Sequence, residues 1–182
     1  MLSSYLAFKY GRPLMNPHDA TDFSTRPAPT PRLVHLFDME AELAATDDGG
    51  DGPLGRRLRD AVASGSFAGP RLRGTILAGS ADWRLLRRDG ISVVDARVVL
   101  KAEDGAIIHM SYGGRIVVPK QILSDLRNPA RRDQIDLALY SFLTTPSFET
   151  GSPEYLWMND VVCIGSGRVT RQGVNYRIFQ AQ

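Results

Sequence analysis

Two Asp-Gly dipeptides, Asp89-Gly90 and Asp104-Gly105, bracket a run rich in β-branched residues, and this bracketing limits the fold more than any other stretch. Glycine enters positive φ without steric cost and Asp can bond the backbone two residues on, so both dipeptides read as turns. The run between them, Ser92 to Lys101, has the content of a pleated, half-buried strand. Ala106 to Ser111 follows at once, which predicts a hairpin of Ile91–Lys101 with Ala106–Ser111. Strand alternation puts Asp95 and Arg97 on the face that carries Val93 and Val99.

Further strands are expected at Leu33–Leu43, with a bulge or twist near Asp38, and at Pro70–Leu77, Arg115–Val118, Leu137–Thr144, Glu154–Gly165 and Gly173–Gln180. Leu54, Leu58, Ala61 and Val62 fall at helical spacing, so Leu54–Ser64 reads as a short amphipathic helix ended by Gly65. Thr46–Gly52 reads as an acidic loop, Gly165-Ser166-Gly167 as a turn and Pro119–Asp136 as a helical excursion between strands. The fold class is therefore all-β, a single antiparallel barrel with one or two short helices.

A chain of 182 residues, 43% of them hydrophobic, is long enough to bury one core. Residues 1–31 hold Pro13, Pro17, Pro27, Pro29 and Pro31 and follow neither period, so they read as an extended N-terminal arm before a barrel domain at 32–182. Tyr5, Phe8, Tyr10 and Phe23 would be exposed on such a tether, and a homodimer whose arm packs on the neighbouring subunit would cover them.

A net charge of +2 is too small for a purely electrostatic nucleic-acid or membrane binder. The crowding of Arg56, Arg57, Arg59, Arg71, Arg73, Arg84, Arg87 and Arg88 reads as a solvated face, since no nucleic-acid motif accompanies it. No signal segment or apolar run of bilayer length is present, and Cys163, the sole cysteine, reads as a buried hydrophobe, so a reducing cytoplasm is expected. There is no close-spaced pair of metal ligands, no Gly-rich nucleotide loop and no nucleophile elbow, so neither a metal nor a cofactor is expected.

Several polar and aromatic groups interrupt the apolar patterning. Tyr155, Trp157 and Asn159 alternate along an expected strand and would share one face suited to a flat or cyclic molecule; the competing reading makes Trp157 core and Asn159 a turn residue. Asp82-Trp83 follows the small run Ala78-Gly79-Ser80-Ala81. Asp82, Asp95 and Arg97 could form a carboxylate and guanidinium set for proton transfer, or a structural ion pair at the barrel end.

Taken together, Gly69-Pro70 with Arg73-Gly74, Gly79 through Asp82-Trp83, Asp89-Gly90, Asp95-Ala96-Arg97, Asp104-Gly105-Ala106 with Ile108, Phe148-Glu149-Thr150 and Tyr155-Leu156-Trp157-Met158-Asn159 resemble the DUF3237 (UPF0311) family. The likeness runs from about Leu33 to the C-terminus and implies a calycin-like antiparallel barrel, often dimeric, without a settled activity. The chain departs from the family's usual pattern in having Ser80-Ala81 where a second Gly commonly precedes Asp-Trp, in the longer Pro119–Asp136 connection and in the N-terminal arm.

The function expected from these residues is a cofactor-independent isomerase, cyclase or hydratase/lyase acting on a cyclic or aromatic metabolite in the barrel. Asp82 would move the proton, Arg97 would face an anion or oxyanion and Tyr112 would be a second acid. Trp83, Asp95, Tyr155, Trp157 and Asn159 would position the substrate. A barrel that only binds or carries a hydrophobic metabolite is the alternative.

Overall fold

The computed structural model describes residues 30–182; all but the last two residues of the N-terminal arm, and with them its expected intersubunit contacts, lie outside them. The strands are β1 (Leu33–Gly52), β2 (Gly55–Ala68), β3 (Arg73–Ile76), β4 (Ala81–Asp82), β5 (Leu85–Arg87), β6 (Ser92–Ala102), β7 (Ile107–Val117), β8 (Ser141–Glu149), β9 (Val162–Val169) and β10 (Gly173–Ala181). All pairings are antiparallel. The order runs β1, β10, β9, β8, β7, β6, and β6 reaches β2 through β3, β4 and β5 in turn; β2 then pairs with β1 and closes the ring.

The expected hairpin is present: β6 and β7 pair from Ser92↔Ile116 to Lys101↔Ile107, and Gly105 turns at φ +92°. Arg115–Val117 continues β7 rather than forming a strand of its own. In β6 the inward residues are Val94, Ala96, Val98 and Leu100, so Asp95 and Arg97 face outward with Val93 and Val99. The bulge in β1 lies at Leu36, where the register against β10 shifts, and it lets Leu36 and Phe37 be buried in succession.

Four expectations are corrected. Leu54–Ser64 is not a helix, and Thr46–Gly52 is not a loop. Both belong to the β1–β2 hairpin, whose pairs Asp47↔Arg59 and Asp48↔Leu58 reach almost to its tip. Alternate residues Leu58, Asp60 and Val62 point into the barrel, and pairing with β1 on one side and β4 and β5 on the other overrides the local helical spacing. Glu154–Gly165 is not one strand: Pro153–Asp160 is a 3₁₀ segment and β9 begins only at Val162. Gly165 and Gly167 are strand residues, paired with Ile178 and Tyr176.

The lumen has two halves. Around the 3₁₀ segment it is filled by Phe37, Phe67, Leu100, Ile108, Phe148 and Met158, with edge-to-face rings at Phe37–Phe67 (5.7 Å) and Phe37–Phe148 (5.9 Å). The other half is open, beside the excursion after β7, which contains the helix α1 (Leu123–Arg127). One seam of the ring is short: β8 and β9 share only the pairs Leu143↔Ser166 and Thr144↔Gly165. Among the described residues no helix is long and apolar enough to cross a membrane.

A Cβ on Gly167 would come within 2.8 Å of Phe142 Cδ1 and 2.9 Å of Tyr176 Cε1, so glycine there is what lets both rings lie against β9. Gly167→Ala is expected to destabilise the barrel by about 1–3 kcal/mol through overpacking, read as a lower midpoint in chemical denaturation at unchanged slope.

Candidate functional site in the barrel lumen

The open half of the lumen is a cavity of about 650 Å³. Its wall carries one row of register partners: Asp60 on β2 pairs with Asp82 on β4, Asp82 with Ala96 on β6, and Ala96 with Tyr112 on β7. Asp60, Asp82 and Tyr112 line the cavity. Directly opposed residues of this kind hold their Cβ atoms about 5 Å apart, and like charges so placed repel. The two carboxyl groups have different surroundings. Asp60 Oδ2 accepts from Arg84 Nε at 2.7 Å and its Oδ1 accepts from the Thr46 hydroxyl at 2.6 Å, so its charge is paired. Asp82 has no cationic hydrogen-bond partner among the described residues; its Oδ1 accepts the backbone N–H of Asp95 at 2.8 Å.

Burial therefore raises the Asp82 pKa from 3.8 to about 6, against the lowering effect of that N–H; Asp60 and Asp95 raise it further and Arg84 opposes them. Tyr112 meets Tyr176 edge to face at 5.5 Å, and Tyr176 meets Phe142 at 5.2 Å. Burial pushes both phenols upward, and each also feels the Asp82 charge, so they remain protonated hydrogen-bond donors across the ordinary pH range. Asp82 can exchange a proton near neutrality while the two phenols beside it hold theirs.

Of the residues expected to form a site, Asp82 and Tyr112 meet in this cavity. The others do not. Arg97 Nη1 donates to Asp95 Oδ1 at 2.6 Å on the outer wall, an exposed ion pair that corrects the idea of an oxyanion partner in the lumen. Trp83 is also exposed, its backbone N–H bonded to Asp95 O and its carbonyl accepting from Arg57. Tyr155, Trp157 and Asn159 sit at the filled end, because the 3₁₀ segment breaks the alternation that would have aligned them. Tyr155 is buried near Asp104 at the hairpin tip, eight residues along the chain from Ala96, or about 26 Å at strand rise. Arg71 stacks on Trp157 at 3.6 Å. Asn159 Oδ1 accepts the Thr150 N–H while Nδ2 donates to Thr150 O and Leu156 O, an amide that fastens the segment in place.

Asp60, Arg84 and Tyr176 line the cavity but were not anticipated. The Val174, Tyr176, Ile178 alternation of β10 could have revealed Tyr176; reading Leu54–Ser64 as helix concealed Asp60. Among the described residues no group of three or more His, Cys, Asp or Glu is placed to hold a metal ion.

Residues 31–181 match the family described as a protein of unknown function, DUF3237. The chain belongs to that family. A UPF0311 protein of Clostridium acetobutylicum is 33% identical over 120 residues, 65% of this chain and 74% of the relative. The DUF3237 barrel also superposes on a crystal structure from Acinetobacter baumannii described as a beta-barrel like protein, with a TM-score of 0.73 and 29% identity over 86% of this chain and 99% of the other. Two fungal likenesses are more distant. PR-toxin biosynthesis cluster protein 7 of Penicillium roqueforti is 24% identical over 79% of this chain and 86% of that protein. A crystal structure described as an enzyme from Penicillium herquei has a TM-score of 0.65 at 20% identity, covering 87% and 98% of the two chains, which shows a shared fold.

Because the folded pKa of Asp82 lies above 3.8, this group favours the folded state while protonated. That contribution is lost as pH rises from about 4 through about 6. Asp82→Asn, which keeps an oxygen for the Asp95 N–H, is expected to be more stable than the parent at pH 8 by on the order of 2–3 kcal/mol and equal to it near pH 4, measured by urea denaturation at both pH values.

Proposed function

We propose that the chain is a cofactor-independent acid–base enzyme of isomerase, cyclase or hydratase/lyase type, acting on a small cyclic or aromatic molecule in the lumen. The observation that carries this reading is Asp82, a carboxyl on the cavity wall with no cationic hydrogen-bond partner among the described residues, whose pKa of about 6 lies beside two phenols that stay protonated. A group titrating near neutrality is suited to take up a proton and give it back.

In the reaction, the Asp82 carboxylate takes a proton from a C–H or O–H bond of the bound molecule. Where carbon loses the proton, the electron pair shifts onto a conjugated oxygen, which accepts a hydrogen bond from Tyr112, whose own oxygen accepts from Tyr176. The protonated Asp82 then returns its proton to a different atom. No electrons are gained or lost, so double-bond migration, ring closure by addition of a hydroxyl, and addition or removal of water all balance in this scheme. The ion pair with Arg84 holds the side chain of the neighbouring Asp60. The fungal protein named for a toxin biosynthesis cluster and the related fold described as an enzyme support placing this barrel among biosynthetic catalysts.

Solvent deuterium exchange into 2-tetralone, an enolisable bicyclic ketone, followed by proton NMR, tests the proton-transfer step without knowledge of the native substrate. Exchange above the buffer rate is expected, rising with pH through about 6 as the carboxylate ionises. Asp82→Asn should lower it by roughly 10²–10⁴-fold and Tyr112→Phe by less, while Arg97→Gln on the outer wall should leave it unchanged. Binding of the ketone without exchange would instead make the barrel a carrier.

A further inference from the structure

The rim of the open half is built by the excursion after β7 and by the β9–β10 turn, and it supplies Arg127, Arg132 and Arg171 to the cavity lining. These guanidiniums differ from Arg84, which is spent on Asp60, and from Arg56, which is paired with Asp48. Arg132 is half-buried and held in place by carbonyl oxygens: its Nε donates to Leu126 O at 2.7 Å and its Nη2 to Arg127 O at 3.4 Å. A carbonyl fixes a guanidinium without neutralising it, and five N–H donors exceed what two carbonyls can use.

Of the acidic groups of the same rim, Asp125 is paired with a cation, Arg131, at 2.7 Å, whereas Asp136 and Asp133 accept backbone N–H groups, of Ala138 and, at 3.1 Å, of Arg171, and keep their charge. The Asp133 contact ties the β9–β10 turn to the excursion, and Arg171 and Arg132 line the same cavity. Among the described residues no carboxylate lies within ion-pairing distance of the side chains of Arg127, Arg132 or Arg171. Below them the lining turns apolar, with Val118, Leu123, Leu126 and Val169, before it reaches Asp82 and Tyr112.

We infer that this rim is an anion seat and that the ligand of the barrel is amphipathic, an apolar ring body in the lumen with a carboxylate, phosphate or sulfonate held at the mouth by Arg127, Arg132 and Arg171. The inference rests on the lumen being the ligand chamber and adds the chemical class of what enters it. An anion at the rim lies at the far side of the apolar stretch from Asp82. It therefore orients the ring without placing a second negative charge against the carboxylate that must ionise.

Two fluorescent probes that share one body test this: N-phenyl-1-naphthylamine, which is neutral, and 8-anilinonaphthalene-1-sulfonate, which adds the anion. The sulfonate is expected to bind about tenfold or more tightly at low salt, to be displaced by the amine, and to lose its advantage in Arg127→Gln/Arg132→Gln/Arg171→Gln while the amine binds as before. Arg132 also supports the excursion through its carbonyl bonds, so Arg127→Gln/Arg171→Gln serves as the milder variant and should lose part of the advantage. Arg127→Lys/Arg171→Lys should keep most of it. Competition by 2-naphthoate and by 1-naphthyl phosphate distinguishes the head groups: displacement by either supports the seat, and displacement by neither overturns it. Equal affinity for the two probes, or a preference that survives in the triple variant, overturns the anion seat and leaves the ligand chamber standing. If neither probe binds, the chamber itself is refuted.

Discussion

The ring closes through a wall made in pieces, and the site depends on how those pieces are joined. Between β2 and β6 a continuous strand would supply every hydrogen bond, but the chain there is broken into β3, β4 and β5. At the breaks, side chains take over the backbone's role. Ser80 Oγ accepts the Val99 N–H at 3.0 Å and donates to Leu77 O, and Asp82 Oδ1 accepts the Asp95 N–H. A buried N–H without a partner costs about as much as a lost hydrogen bond, so each break must be bridged by an acceptor of the right length. In this wall Asp82 is both a ladder bond and a titratable group of the lumen.

Placing a carboxyl in that position conflicts with its neighbour. Asp60 and Asp82 are register partners, and two ionised carboxylates in such a pair would repel inside a chamber that screens poorly. The conflict is resolved unequally. Arg84 and Thr46 take Asp60, and Asp82 keeps a proton until the pH approaches 6. A barrel built for stability alone would hold an amide at position 82, so the carboxyl persists at a cost to the fold at neutral pH.

The sequence was most readable where one strand face is apolar and turn residues mark its ends, as in β6, β7 and β10. In β6 the turns are clear, yet Val93 and Val99 make the outer face as apolar to the eye as Val94, Ala96, Val98 and Leu100 make the inner one. Alternation groups Asp95 with Arg97 but cannot say which group faces in. The β1–β2 hairpin was hidden because Leu54, Leu58, Ala61 and Val62 satisfy a helical period while the partners that hold them extended are distant in sequence. Tyr155, Trp157 and Asn159 were misplaced for the converse reason: a short 3₁₀ segment can carry a pattern that looks like strand alternation, and only the amide of Asn159 clamped on Thr150 reveals what holds it.

The short seam between β8 and β9 gives the ring a direction. Counted around the barrel, β9 lies diametrically across from β4, so this seam of two register pairs lies on the far side of the ring from Asp82. Local opening draws on the least bonded part of a structure. An opening along β8 and β9 would turn the cylinder into a curved sheet with its polar row still hydrogen-bonded along the spine. The Asp82 side of the barrel would stay closed while the opposite side parts.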